Sequence, residues 1–222
     1  MLTLFLLLQA AGPLGPRVAP GSDTAAVSIP RLEAEIVVDG KLDEPAWAQA
    51  VRLTGFHQYQ PVDGRPAELR TEVLVWYSPT AIYFGIIAFD DPSSVRVTVS
   101  DRDRLGTNDR VTIYLDTFND QRRAFLFGVN PYGNQEDGVR TEGTGNAGTI
   151  FGGNIDLAPD YIFQSKGQLT DDGYQVEIRI PFKSLRFPNA QTQTWGLNVT
   201  RITQRTGYED TWTDVRRANA SF

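Results

Sequence analysis

Apolar and polar positions alternate most regularly between Asp109 and Asn130. Val111, Ile113 and Leu115 interleave with Thr112, Tyr114 and Asp116, and Phe125, Phe127 and Val129 repeat the pattern after a short link containing Asn119 and Asp120. A period of two is the signature of a half-buried strand, and Asn and Asp tolerate turn geometry, so this stretch predicts an antiparallel hairpin at the centre of a β-sheet core. Leu69–Tyr77 and Ile82–Phe89 predict a second hairpin around Ser78-Pro79-Thr80. The second of these strands is apolar almost throughout, as expected of a central strand covered on both faces. Tyr161–Leu169 and Tyr174–Ile180 flank Asp171-Asp172-Gly173 as a third hairpin. Glu35–Asp39 reads as the first strand, and Leu53–Tyr59 and Val95–Val99 as short ones. Trp195–Thr203 is expected to close the sheet. Leu42–Ala50 reads as one helical turn with Asp43 as N-cap and Pro45 in its first turn, and Pro181–Leu185 as another. Pro131–Pro159, rich in Gly and Asn, reads as a mobile surface loop. It cannot be a phosphate-binding loop, because no Gly-Lys-Ser/Thr follows and no helix pattern opens there. About ten strands with little helix make the chain all-β, an antiparallel β-sandwich.

At 222 residues the chain accommodates one large β domain. The net charge of −6 argues against a nucleic-acid partner, which requires Lys and Arg to displace counterions. The absence of cysteine removes disulfides, thiolate nucleophiles and Cys-ligated zinc, and a single histidine, His57, removes a His-cluster metal site. Leu2–Ala11 is an apolar run of about ten residues, half the ~20 that a spanning helix needs, and has the length of a signal-peptide core. The expected organisation is therefore a signal peptide or leader over residues 1–22, a linker over 23–30 and a sandwich domain over 31–222. An exported protein is expected: periplasmic, outer-membrane-associated or secreted.

Catalytic chemistry finds little support. No G-x-S-x-G or S-x-x-K arrangement with matching partners is present. Asp109 and Asp116 lie about 23 Å apart at the usual strand rise, too far for a glycosidase pair. Asp90, Asp91, Asp101 and Asp103 gather, with Asp109, where strands end and a loop begins, and their hard oxygens make a structural calcium ion the candidate metal. The competing reading is that these acids are solvated or cap turns. Among the aromatics, Trp47, Tyr83 and Trp195 sit in apolar contexts and read as core. Trp76 alternates onto the face opposite Val73 and Val75 and is expected to be exposed. Tyr132 and Trp212 lie in loop or edge contexts and are the stacking candidates.

The order of the pieces VDGKLDEPAWAQA, AIYFGIIAFDDP, NDRVTIYLDTFND, DDGYQVEIRIPFKSL and WGLNVTR resembles the family 9 carbohydrate-binding modules over about residues 30–215. FGVNPYGNQEDG, IPFKSLRF and WGLNVTRITQR are similar to a subgroup in which the module precedes an outer-membrane β-barrel of unassigned function. Phe222 would then mark an isolated or truncated N-terminal module. The resemblance implies a jelly-roll-like sandwich that binds glycans without catalysis, in the service of carbohydrate breakdown, its ligand xylan- or glucan-like. The alternative it implies is a domain that docks onto a barrel and binds no sugar. Family members hold sugar with two aromatics and nearby charged and amide groups. The first aromatic falls at or near Gly106 beside Leu105, the acidic ligand at Thr112 and the arginine near Gly128. The second aromatic falls close to Phe222. The candidate glycan contacts are therefore Trp212, Tyr132, Phe222, Thr112, Asn130 and Arg104.

Overall fold

The computed structural model describes residues 17–18, 26–142 and 153–213, and among these it forms fourteen strands in two sheets. In chain order the first seven are β1 (Arg17–Val18), β2 (Val51–Leu53), β3 (His57–Gln60), β4 (Arg65–Pro66), β5 (Thr71–Tyr77), β6 (Ala81–Phe89) and β7 (Arg110–Asp116). The remainder are β8 (Arg123–Val129), β9 (Gln135–Glu142), β10 (Gly153–Asp156), β11 (Gln164–Thr170), β12 (Gly173–Pro181), β13 (Gly196–Thr203) and β14 (Tyr208–Thr211). A six-stranded sheet runs β1-β2-β5-β6-β12-β11 and an eight-stranded sheet runs β10-β9-β8-β7-β13-β14-β3-β4. All pairings are antiparallel except β1 with β2, which places two residues of the expected leader beside Arg52 and Leu53. The rest of that leader lies outside the described residues.

The three predicted hairpins form, and β7 and β8 occupy the middle of the larger sheet. Their link turns because the Asp116 carboxylate accepts the backbone N–H groups of Phe118 and Gln121 at 3.2 and 2.7 Å, while Asn119 and Gln121 take positive φ. The inner faces of the two sheets meet in a core of Val73, Val75, Phe84, Ile86, Val111, Ile113, Phe127, Val176, Ile178 and their neighbours. Such alternate residues, one face of each strand, are what the sequence pattern marks as buried.

The outer face of the six-stranded sheet is covered too. Leu32, Ala34, Ile36, Leu42, Ala46 and Trp47 pack on Leu74, Trp76 and Tyr83. Trp76 is consequently buried, not exposed: it stacks on Tyr83 at 3.9 Å and meets Trp47 edge-on at 5.9 Å. Gly85 is what lets Trp47 in, since a Cβ there would come within 2.7 Å of Leu42 and 3.0 Å of Trp47. Glu35–Asp39 is not a strand. Its end is held by the Glu177 carboxylate, which accepts the Asp39 and Gly40 N–H groups at 2.8 Å each, in place of a ladder partner. The turn near Trp47 is a 3-10 turn over Trp47–Gln49 whose N-cap is Ala46, so Asp43 caps nothing there.

Three further expectations are corrected. Val95–Val99 is extended but joins no sheet, because Asp109 and Asn108 side chains take the N–H groups of Arg96 and Thr98. Within Pro131–Pro159, Gln135–Glu142 and Gly153–Asp156 are the strands β9 and β10, and residues 143–152 lie outside the described residues. Trp195–Thr203 does not close a sheet: β13 is interior, with β14, β3 and β4 beyond it.

Candidate functional site

With Val111, Ile113 and Leu115 turned into the core, the alternate residues of the eight-stranded sheet share its outer face. Strand register aligns Glu136, Gly128, Thr112, Thr200, Thr211 and His57 in one row across β9, β8, β7, β13, β14 and β3. The next row brings Arg110, Ile202 and Glu209 together. The row on the other side holds Asn198, Tyr114, Leu126 and Gly138. Tyr114 and Leu126 cluster with Ala124 and with Tyr59 of β3, and Ile155 and Leu157, from β10 and the residues after it, pack against the cluster. The face thus divides into a half packed around Tyr114 and Leu126, which also buries Arg140 and Asn198, and a polar half built on small hydroxylated side chains.

The polar half carries perturbed carboxyl groups. Burial pushes Glu209 up to about 8 and also raises Glu136, and in both cases the Arg110 guanidinium draws the value back. Arg110 therefore stands in the field of two carboxyl groups. The Glu136 side chain lies against Gly128, where a Cβ would meet it at 3.2 Å. The Thr211 hydroxyl is spent on Asn198, at 3.0 and 3.1 Å, whereas among the described residues no hydrogen bond engages the hydroxyls of Thr112 or Thr200. Thr112 and Thr200 are 5% and 1% exposed and Glu209 7%, while Arg110 and Glu136 are half-buried. The polar half therefore presents charged groups at its surface with hydroxyls beneath them, an arrangement that suits recognition of a polyhydroxylated ligand.

The raised carboxyl groups carry a consequence for stability. Glu209, and with it Glu177 at about 7 and Asp210 at about 6, binds its proton more tightly in the folded chain than the ordinary values of 4.5 and 3.8. Desolvation is the leading cause in all three. The folded state then holds more protons than the unfolded one between about pH 4 and 8, so stability falls as pH rises through that window. Thermal melts are expected to give a lower Tm at pH 8 than at pH 5, and Glu209→Gln is expected to flatten the slope. A Tm that rises over this interval would contradict the assignment.

The expected glycan contacts do not converge. Thr112 is at the centre of the outer face. Trp212 is 7% exposed and belongs to the core between the sheets, because β14 turns Thr211 outward and its neighbour inward. It cannot serve as a stacking platform. Asn130 is fully buried and structural: its amide donates to the Thr98 carbonyl at 3.0 Å and its carbonyl accepts the Tyr132 and Asn134 N–H groups. Tyr132, 38% exposed, sits on the turn between β8 and β9. Arg104 is exposed in the loop leading to β7, and Phe222 lies outside the described residues. Sequence reasoning missed Arg110, Glu136, Glu209 and Thr200, which only strand register gathers.

The acids expected to hold calcium are dispersed among other tasks. Asp90 pairs with Arg205 at 2.6 Å and Arg201 at 3.4 Å, and Asp91 caps the turn at Ser93. Asp101 is exposed. Asp103 does converge with acids, but with Asp137 and Asp160, their oxygens within 4.8 Å of one another. Arg102 already supplies positive charge there, at 2.5 Å from Asp137 and 3.5 Å from Asp160. Two backbone donors also bind the acids, Asp137 N–H on Asp103 and Tyr161 N–H on Asp137. The donor set is an ion-paired knot that a cation would have to open.

Comparison with known proteins agrees with this architecture. A family model described as carbohydrate family 9 binding domain-like matches residues 38–219. The chain is similar to a family 9 carbohydrate binding module from Caldicellulosiruptor kristjanssonii solved with cellotriose, at 17% identity and a TM-score of 0.56, over 93% of this chain and 87% of that one. A structure of such a module from that organism with glucose matches at 18% identity and TM-score 0.57, over 86% and 90% of the two chains. A Bacteroides uniformis protein matches at 13% identity and TM-score 0.57, over 90% and 91%. At these identities the likeness is one of fold. No curated protein matches the chain.

Proposed function

Since the chain belongs to the carbohydrate family 9 binding domain-like family over residues 38–219, we propose that it is a non-catalytic carbohydrate-binding module whose glycan site is the polar half of the eight-stranded sheet's outer face. The family match over most of the chain is the observation that carries this reading. Two solved relatives of the same fold hold cellotriose and glucose, which favours a glucan-like ligand. Arg110 and Glu136, the half-buried charged groups, would meet sugar hydroxyls, with Thr112, Thr200 and Glu209 buried beneath and beside them, since polar groups at fixed positions orient a sugar ring.

The same geometry predicts weak binding. Among the described residues, the aromatics on this face are Tyr114 and Tyr59, and both are buried, at 3% and 4% exposure, in one cluster. Without an exposed ring to lie against a pyranose, few fully desolvated contacts remain to offset the cost of association. Calorimetric titration with cello- and xylo-oligosaccharides is expected to give Kd near 1 mM, about −4 kcal/mol. Gly106, where the family places an aromatic, is exposed, and a Cβ there would meet nothing within 4 Å. Gly106→Trp is therefore expected to tighten binding about fivefold, an aromatic contact contributing on the order of 1 kcal/mol. Micromolar affinity in the parent chain, or no gain in the variant, would displace the site.

A further inference from the structure

A concave site lies at the end of β7 away from Arg110. It is a cavity of about 680 Å3 between the turn that follows β7, the segment before β11 and the 3-10 turn after β12. That volume falls inside the range of small-molecule sites, roughly 300–1,000 Å3. Arg110 and Thr117 are separated by the whole length of β7, about 23 Å at the usual rise per residue, so this cavity is distinct from the polar surface around Arg110.

Its walls are tied together by the protein itself. Thr117 Oγ1 donates to the Arg186 carbonyl at 2.5 Å and Ser184 Oγ donates to the Ile162 carbonyl at 2.6 Å. Tyr161 packs edge-on against Phe125 at 5.1 Å. Three segments distant in sequence are thereby locked as one rim, and a preformed rim spares a ligand the cost of ordering it. Two large apolar side chains are nevertheless left in water at this rim, Phe118 at 53% and Ile162 at 70% exposure.

The charge of the lining is the reverse of the chain's. Arg123, Lys183 and Arg186 face the cavity with a single carboxylate, Asp160, in a protein of net charge −6. Asp160 is in turn shared with Arg102 at 3.5 Å. Among the described residues no ion pair engages Arg123, Lys183 or Arg186. Unpaired cations beside exposed aromatic surface fit a ligand with a carboxylate and an apolar ring face. A phosphate dianion fits less well, since Asp160 stands in the wall, while the same carboxylate accepts a hydroxyl.

We infer that this cavity is a second glycan subsite, selective for acidic sugars that carry a uronate carboxylate. Arg123, Lys183 and Arg186 hold the carboxylate, Phe118 and Tyr161 offer ring surface, and Asp160 accepts a ring hydroxyl. The inference stands apart from the outer-face site and survives if that site binds nothing.

Calorimetry with trigalacturonic acid tests it, with cellotriose titrated in parallel as the neutral control. Binding of trigalacturonate is expected to weaken at least tenfold in Lys183→Ala and in Arg186→Ala, and to fall with added salt. Phe118→Ala is expected to weaken it as well. All three side chains are exposed, and an unchanged melt will show that the fold is intact. Cellotriose binding is expected to be the same in the parent and the variants. Failure of trigalacturonate to bind the parent at millimolar concentration overturns the inference, as does binding that ignores these substitutions.

Discussion

Ile113→Asp is expected to leave no cooperative thermal transition. Ile113 is fully buried in β7, the strand at the centre of the larger sheet, and packs in the core shared by both sheets. The substitution removes that apolar contact and places a carboxylate where nothing among the described neighbours can pair with it. An unpaired buried charge combined with lost packing belongs to the class that exceeds about 4–5 kcal/mol, a large share of a domain's typical ~5–15 kcal/mol. Ile113→Val, which deletes one methylene, is expected to cost about 0.5–1.5 kcal/mol and to fold. Circular dichroism melts of the two variants separate these outcomes. An Ile113→Asp protein as stable as the parent would overturn the core assignment.

Asp90→Ala is expected to be the next most damaging change, at about 3–5 kcal/mol. The Arg201 side chain is entirely buried and spans the two sheets from β13. Its guanidinium donates to the Arg70 carbonyl at 3.2 Å, the Thr71 hydroxyl at 3.1 Å and the Phe89 carbonyl at 3.1 Å. It also lies 5.6 Å over the Tyr174 ring. The Asp90 carboxylate, 1% exposed, neutralises it. Removing Asp90 strands a buried cation, because the other acids in the field of Arg201, Asp109 and Asp210, are themselves held toward the protonated form by burial, Asp210 with its pKa raised to about 6. Arg205 also pairs with Asp90, but its side chain is 28% exposed, so Arg205→Ala is expected to cost less than about 1 kcal/mol. Urea titrations of both variants check the contrast, and equal losses would contradict the central role given to Arg201.

The parts of the fold that could be read from the sequence share one property: their partners are local. The hairpins of β5–β6, β7–β8 and β11–β12 each join two alternating runs across a short turn, so the pattern and the pairing are both visible in one stretch. Trp76 was misplaced because its face is covered by residues 31–50, a segment whose docking depends on Gly85 some forty residues away. Strand β9 was hidden by composition. Gly138 looks like loop chemistry, yet a Cβ there would press to 2.3 Å on the Asp156 carbonyl, so the glycine exists to admit β10. Val95–Val99 has genuine alternation, but Asp109 and Asn108 side chains satisfy its backbone and it never needs a neighbouring strand.

The site was less legible for the same reason. Trp212 sits between two threonines, a context that reads as an edge, and only the direction of β14 turns it into the core. Glu136, Thr112, Thr200 and Glu209 come from four strands, and no spacing within the chain announces that they share one face. Arg123, Lys183 and Arg186 are separated by about sixty residues and meet only because the β7–β8 turn and the turn after β12 close the same end of the sandwich.

The central claim, that the chain is a glycan-binding module using the polar half of its outer face, is tested most directly by chemical-shift mapping. Cellotriose would be titrated into 15N-labelled protein to several times the expected millimolar Kd. The account predicts saturable shifts of the amides of Thr112, Gly128, Glu136 and Thr200, with the Trp212 indole unmoved. Shifts centred on Trp212, or no shift at any amide of this face at saturating sugar, would contradict it.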